Sequence, residues 1–153
     1  MGRAAHMIIE ISPITADLPA GFDILQAEAR DEGHRHMERL ATDWATGANR
    51  FDAPGEALLA AFVTGTLAGI GGMTIDPADP AALRMRRFYV RPEFRRHGVG
   101  RHLAEALIAE ARDATECIVL NAPTEQAARF WQALGFAPDH RDRHSHILRW
   151  SSD

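Results

Sequence analysis

The stretch RPEFRRHGVGRHL, residues 91–103, places four arginines and two glycines around one short turn. Apolar residues at helical spacing follow it, which predicts a helix that opens at Gly98 and runs to Arg112. The start of a helix leaves backbone N–H groups unpaired and carries partial positive charge. Gly98 and Gly100 have no Cβ, so a phosphate could lie directly on the backbone. The turn is therefore predicted to bind an anion, the alternative being a glycine turn with solvated arginines.

Arg95, Arg96 and Arg101 could add charge-assisted hydrogen bonds at the rim of this turn. So much local positive charge would suit either an anionic cofactor or nucleic acid. The whole chain carries a net charge of −4, whereas proteins that bind phosphate backbones usually carry a positive excess. No stacking motif accompanies the arginines of residues 84–101. A nucleic-acid partner is therefore disfavoured.

The length of 153 residues suits one domain with its own core. Cys117 is the only cysteine, so an intramolecular disulfide is impossible, which fits a reducing cytoplasm; its apolar surroundings predict a buried, inert thiol. No apolar run approaches the roughly 20 residues of a membrane span, and the opening lacks the apolar stretch of a signal peptide. We expect residues 1–6 to be an expression-vector remnant and residues 7–153 to form a single domain.

The elements that must position the turn follow from hydrophobic periodicity and from glycine and proline breaks. Strands are predicted at residues 7–11, 57–63, 67–75, 84–91, 116–122 and 144–150. Helices are predicted over residues 18–44, split in two at Gly33, and over 98–112 and 123–134. Polar loops are predicted at 46–56 and 76–83. This order predicts an α/β (α+β) domain, a mixed sheet with helices on both faces.

The turn does not match the P-loop, which requires a lysine that the chain lacks, and no G-x-G-x-x-G is present. RRHGVG, residues 95–100, instead resembles the R-x-x-G-x-G acetyl-CoA signature of the GNAT superfamily of N-acetyltransferases. FYVRPEF, residues 88–94, resembles the strand that leads into that signature, and AARFWQALGF, residues 127–136, resembles the family's later helix. The order of elements is similar over roughly residues 7–150.

The resemblance implies a mostly antiparallel sheet whose central strands splay apart to admit the pantetheine arm of acetyl-CoA. Phe88, Tyr89 and Val90 would pair with the arm, and a backbone N–H near Phe88 would polarise the thioester carbonyl. Such a donor is worth roughly 2.7–4 kcal/mol in other enzymes. The pyrophosphate would lie on consecutive backbone amides, those of Arg96, His97, Gly98, Val99, Gly100 and Arg101.

Three positions depart from the family pattern. Trp131 stands where the family's usual general acid is a tyrosine, and an indole N–H cannot act as that acid; it would pack against the cofactor or the core. Thr124 stands where an asparagine commonly contacts the cofactor. A glutamate base is sometimes found early on the fourth strand, and here that stretch carries Arg84, Arg86 and Arg87. The cofactor-binding part of the pattern is thus present, while the route of the proton is open.

The family builds its acceptor pocket from the first helices, which here carry Glu28, Glu32 and His36. Glu28 and Glu32 share one helix face, so either could bind a cationic amine or accept its proton through water, and Glu32 is the candidate base; a solvated acidic face is the alternative. Tyr89, the only tyrosine, is a candidate substitute acid, and His146 on the last strand is a further candidate. For both, a packing role is the alternative. The histidine-rich stretches lack a compact ligand spacing, so no metal is predicted.

The function that the resemblance implies is acetyl-CoA-dependent N-acetylation of a primary amine, by direct attack in a ternary complex without a covalent enzyme intermediate. The acceptor would be a small-molecule or peptide amine, with no nucleic-acid or membrane partner, and the protein would be a monomer or homodimer. A non-catalytic acyl-CoA-binding or sensing module of the same fold is the alternative, which the missing tyrosine favours.

Overall fold

The computed structural model describes residues 7–141 and 143–150, which form one seven-stranded sheet with helices on both of its faces. The strands lie in the order β1-β2-β3-β4-β5-β7-β6, and every neighbouring pair is antiparallel except β4 and β5. The strands are β1 Ile9–Pro13, β2 Ala57–Val63, β3 Thr66–Asp76, β4 Asp79–Val90, β5 Cys117–Leu120, β6 Ala137–Arg141 and β7 His144–Arg149. The helices are α1 Phe22–Asp31, α2 His36–Thr46, α3 Val99–Ala114 and α4 Glu125–Ala133.

Two hydrophobic clusters fill the spaces between the sheet and its helices. One contains Leu103 and Leu107 of α3 with Trp131 of α4, and the other contains Leu25 of α1 with Leu40 of α2. This arrangement follows the spacing of apolar residues along each helix, because positions three and four apart share the face that meets the sheet. The predicted fold class, a mixed and mostly antiparallel sheet with helices on both faces, is confirmed.

A β-bulge in β4 opens the sheet at its centre. Ile70 pairs with Tyr89 and Gly72 pairs with Arg86, so Gly71 alone faces the two β4 residues between them. One of these, Arg87, has φ 55°, the left-handed conformation expected of the first residue in one kind of bulge. The pairing of β4 with β5 covers only residues 82–84 of β4. Because the bulge bends β4, the two strands part beyond that point, which confirms the predicted splay.

The structure corrects two predictions of secondary structure. Residues 76–83, predicted as a loop, contain the end of β3 and the first five residues of β4. Asp79 and Pro80 obscured this strand, but the register of β3 and β4 shifts here, and such irregular positions tolerate proline. The short β6 was missed because its sequence, APDHR, is mostly exposed and has no apolar alternation; it is held by pairing with β7.

The proposed vector remnant, residues 1–6, lies outside the described residues. Within those residues, no helix is both long enough and apolar enough to cross a membrane.

Gly71 is predicted to be essential for the bulge. A Cβ at Gly71 would lie 2.7 Å from Cδ2 of Phe88 and 3.1 Å from Cδ1 of Leu107. We expect Gly71→Ala to lower the free energy of unfolding by about 1–3 kcal/mol, a typical cost of overpacking, as measured by urea denaturation.

The matched control is Gly100→Ala, whose Cβ would make only ordinary contacts, at 3.4 Å or more, with Phe130 and Val90. We expect its stability to be unchanged or higher by up to about 1 kcal/mol, because alanine favours the helix. Equal stabilities for the two variants would contradict this account of the bulge.

Candidate active site

Beyond the bulge, one edge of β4 has no strand partner. The backbone N–H of Arg91 donates to the backbone carbonyl of Ala68 on β3. Because successive residues of a strand point their backbone groups to opposite edges, those of Val90 and Phe88 point away from β3. The β5 register ends at Arg84, so these groups face the gap between β4 and β5. Both carbonyls accept side-chain bonds, from Nε2 of His36 to Phe88 at 3.3 Å and from Nε of Arg95 to Val90 at 2.9 Å.

The predicted anion-binding turn forms a row of unpaired backbone amides. Residues 92–94 form a single 3₁₀ turn, Gly98 is the N-cap of α3, and the first helical bond runs from the His102 N–H to the Gly98 carbonyl. Among the described residues, none accepts a hydrogen bond from the amides of residues 96–101. Six consecutive donors at the positive end of a 16-residue helix can hold a multiply charged anion without rearrangement.

The two glycines of the turn have different surroundings. Gly98 has φ 84°, a conformation that favours glycine, and only the His102 ring lies near the position of its missing Cβ. The missing Cβ of Gly100 faces Phe130 and Val90 instead. Gly98 therefore leaves its backbone open to a phosphate, as the sequence predicts for both glycines. At Gly100 the glycine lets the aromatic ring of α4 approach the first turn of α3.

Two of the four arginines of the turn pair with carboxylates at the end of α1, and the other two do not. Arg91 is buried and donates to both carboxylate oxygens of Glu28, at 2.7 and 3.2 Å, and to the Leu67 carbonyl. Arg95 is exposed, as a rim position requires, and it donates to both carboxylate oxygens of Glu32 at 2.6 and 2.9 Å. Arg96 and Arg101 are exposed, as a rim position requires, and Arg101 pairs only with Glu105 of its own helix.

Glu28 and Glu32 are therefore both ion-paired, although each side chain remains 31% exposed, and neither is a free carboxylate for an amine. Tyr89 is buried, and its hydroxyl donates to Oε1 of Glu32. The hydrogen bonds from Arg95 are the main reason that the pKa of Glu32 lies below its ordinary value of 4.5. Burial, together with the Glu32 carboxylate, raises the pKa of the Tyr89 phenol well above its ordinary value of 10.0. At neutral pH this geometry makes Glu32 a weak base and Tyr89 a weak acid.

Three rings form a cluster beside the open edge of β4. His36 lies 5.4 Å from His34 and 5.8 Å from Tyr89 between ring centroids, in edge-to-face geometry. The Phe88 carbonyl can only accept, so Nε2 of His36 carries the proton of that bond, and the ring's other nitrogen, Nδ1, holds a lone pair. Burial lowers the pKa of His36 from 6.5, which keeps the ring neutral at pH 7.

His146 is buried on β7, where its contacts differ from those of His36 and Tyr89. Its Nδ1 is 2.8 Å from Oγ of Ser145, and its Nε2 is 3.1 Å from Nε2 of Gln132. Burial lowers its pKa as well. None of the contacts of His146 joins it to Glu32, Tyr89 or His36 in the described chain, so the structure separates the three predicted catalytic residues into a pair and a single residue.

On α4, Trp131 packs in the hydrophobic core and Thr124 caps the start of the helix. Trp131 is buried, with ring centroids 4.8 Å from both Phe88 and Phe130 and 5.4 Å from Phe136. It takes the packing role that was one of its predicted alternatives. Thr124 is the N-cap of α4, and its hydroxyl accepts the N–H of Ala127 at 3.1 Å. That bond is worth about 1 kcal/mol to the helix and commits one lone pair of the hydroxyl.

The structure also shows site residues that the sequence did not single out. Phe130 packs against Phe88 and Gly100, and Asn121 and Arg143 line a cleft beside β4. Arg143 could not have been found because it belongs to the turn before β7, whose partner β6 was not predicted. In residues 7–141 and 143–150, no three His, Cys, Asp or Glu side chains are grouped so that they could hold a metal ion.

The ion pair of Glu32 makes a prediction about acid stability. The pKa of Glu32 is lower in the folded state, so the pair adds stability that is complete above about pH 4.5 and is lost as pH falls through the lowered pKa. We expect Glu32→Gln to reduce the free energy of unfolding at pH 7, and the difference from the parent to vanish in acid. Denaturation curves from pH 7 to pH 2 measure this. Glu110→Gln, on the exposed side of α3, is the control; a difference for Glu32→Gln that grows in acid would contradict the pairing.

The family model and the solved structures that the chain resembles all point to the same family. A sequence model of the Acetyltransferase (GNAT) family matches residues 18–136. The chain is similar to a protein from Exiguobacterium sp. 255-15 that is provisionally named an acetyltransferase, with 29% identity, TM-score 0.84 and 93% of each chain covered. It is also similar to an acetyltransferase from Streptococcus agalactiae 2603 (17% identity, TM-score 0.72, 93% and 98% covered) and to a GCN5-related N-acetyltransferase from Kribbella flavida (19%, 0.67, 93% and 98%). No curated protein matches the chain.

The family match covers well over half of the chain, and it includes the splayed strands and the amide row just described. The resemblance inferred from RRHGVG is thereby confirmed, and the chain belongs to the GNAT acetyltransferase family.

Proposed function

We propose that this protein transfers the acetyl group of acetyl-CoA to a primary amine, by direct attack within a ternary complex. The observation that carries the proposal is that the open edge of β4 and the row of unpaired amides follow each other along the chain. The unpaired edge of β4 from residue 85 to 90 leads directly into the six unpaired amides of residues 96–101. A long ligand with an amide-containing arm and a pyrophosphate at one end matches both features.

The residues present fit such a ligand. The amides of residues 96–101 hold the pyrophosphate, and the exposed Arg96 and Arg101 add charge at its rim. Phe88, Phe130 and Trp131 give the gap apolar walls. Arg95 and Thr124 support the site indirectly, the first by binding the Val90 carbonyl and the second by capping α4.

Acetyl-CoA, when bound, supplies the acetyl group as a thioester. The N–H of Phe88 or Val90, on the edge of β4 that lacks a strand partner, donates to the thioester oxygen and stabilises the charge that develops there. No covalent enzyme intermediate is needed, and Cys117 supplies no nucleophile because it is buried in β5 and burial raises its pKa.

The same geometry favours His36 as the group that accepts the amine's proton. Among the candidates, it alone contacts the open edge of β4 and is neutral at pH 7 with an unshared lone pair. Glu32 is held as an anion by Arg95, and the side-chain contacts of His146 lie on α4, β6 and β7. Tyr89 positions Glu32 beside this cluster through its hydroxyl.

The ligand is tested by comparing CoA with pantetheine, which has the arm but neither the pyrophosphate nor the adenosine. We expect millimolar CoA to raise the melting temperature, because a ligand in hundredfold excess over its Kd adds about 2.7 kcal/mol to the native state. Pantetheine should have little effect because it leaves the amide row unused. Absence of any shift with CoA would contradict the proposal.

A second experiment separates a transferase from a binding module. Acetyl-CoA is mixed with a panel of amines, and the release of free CoA thiol is measured. A transferase releases the thiol, whereas a binding module binds CoA and releases none.

Replacement of His36 tests the proton acceptor. We expect His36→Gln to lower kcat by about 10²-fold or more, the usual contribution of a general base, with little change in CoA affinity. The pH profile of the parent should fall on its acid side only below pH 6.5, because the pKa of His36 lies below that value. This acid limb should be missing in the variant. His34→Gln, two residues away, is the matched control; equal losses for both histidines, or an unchanged kcat for His36→Gln, would rule out this role.

A further inference from the structure

Four arginines line a cleft of about 320 Å³ at the point where β4 and β5 part. Arg84, Arg86 and Arg87 come from β4, Arg143 comes from the turn between β6 and β7, and Asn121 follows β5. A cavity of this size suits a small molecule rather than a folded partner.

The cleft lies on the acceptor side of the sheet. Leu83 and Met85 belong to the hydrophobic cluster beneath α3. Side chains alternate along a strand, so Arg84 and Arg86 point to the opposite face, where α1 and α2 pack. The Arg87 side chain also reaches α2, with its NH2 3.8 Å from Oδ2 of Asp43. An acceptor held here would approach β4 from the face that carries His36.

The described residues of the cleft carry more positive than negative charge. Among the described lining residues Asp76 is the only carboxylate, and it is buried against Arg84, whose Nε is 3.1 Å from Oδ1. No described carboxylate lies within 4.0 Å of Arg86, and the single ion pair of Arg87 is long. The described part of the lining therefore presents an excess of positive charge.

Two of these guanidinium groups also have unsatisfied hydrogen bonds. Nε of Arg86 and Nε of Arg87 are both buried and have no hydrogen-bond partner in the described structure. Buried polar groups are nearly always paired, and an unpaired buried charge is costly. Burial lowers the pKa of both groups, yet arginine stays protonated at any physiological pH. An anion in the cleft would supply the countercharge that the described residues do not provide.

Arg87 also occupies the bulge in a conformation that glycine would adopt with less strain. Its neighbour is Phe88, whose backbone lies at the open edge of β4 where the thioester is proposed to bind. A group bound to Arg86 and Arg87 would thus be one or two residues along the strand from the reacting carbonyl.

We propose that the acceptor is a small amine that also carries an anionic group, a carboxylate or a phosphate, held by Arg86 and Arg87. The guanidinium fork matches both anions, and the bound anion would place the amine beside Phe88 and His36. This inference rests on the proposed acetyl transfer and specifies its substrate class.

The binding test uses the buried Nε–H groups, whose slow exchange with water makes them observable by ¹H–¹⁵N NMR. The protein is saturated with CoA, and inorganic phosphate or acetate is then titrated in. We expect saturable shifts of the Arg86 and Arg87 Nε–H signals, identified by their loss in Arg86→Gln and Arg87→Gln, with the exposed Arg129 unaffected. If neither anion shifts these two signals, the proposal is overturned. The melting-temperature response to CoA is measured on the same sample, so the proposed function can stand while this inference fails.

The kinetic test uses pairs of amines that differ only in charge: O-phosphoethanolamine against ethanolamine, and β-alanine against β-alaninamide. We expect the anionic member of at least one pair to be preferred, and which pair responds distinguishes phosphate from carboxylate. Arg86→Gln and Arg87→Gln should lower kcat/KM for that member about 10- to 100-fold, mainly through KM, and should remove most of its preference over the uncharged member. Arg129→Gln is the charge-matched control. Turnover confined to uncharged or polycationic amines, or a preference that survives both substitutions, would overturn the proposal.

Discussion

The bulge at Arg87 and Phe88 is the constraint on which the rest of this structure depends. Two residues of β4 face Gly71 alone, and the missing side chain at Gly71 leaves room for the Phe88 ring. Because the bulge bends β4, its pairing with β5 ends after three residues, and a row of backbone groups is left at the centre of the sheet. A continuous sheet would bury this edge. The bulge therefore exposes the edge that we propose as the binding surface, at the cost of one residue in a strained conformation.

The second constraint is the pair of ion pairs that joins α1 to the turn before α3. Arg91 with Glu28 and Arg95 with Glu32 fix the first helix against the end of β4. These pairs couple the two sides of the proposed site, since the arginines flank the amide row and the carboxylates lie on the acceptor side. They also explain why a histidine is the favoured base: the arginines hold the carboxylates as anions, and His36 remains neutral beside Phe88.

Local patterns predicted most of the fold and the amide row, because both follow from the spacing of apolar residues and glycines near each element. Gly33 does separate two helices, and Gly98 does cap α3. Side-chain partners could not be predicted in this way. The pairing of Glu32 with Arg95 joins positions 63 residues apart, and nothing in either local sequence distinguishes a paired carboxylate from a solvated one. The arginine cleft was likewise hidden, because it combines β4 with the turn before β7, next to a strand too polar to be recognised.

The central claim, that the amides of residues 96–101 hold the pyrophosphate of CoA, is tested most directly by amide hydrogen exchange followed by NMR. Exchange of each backbone N–H would be measured in the free protein and in the protein saturated with CoA. The account predicts that the amides of residues 96–101 exchange rapidly without ligand, because they have no protein acceptor, and become strongly protected when CoA is bound. Protection that appears elsewhere while these amides continue to exchange rapidly would contradict it.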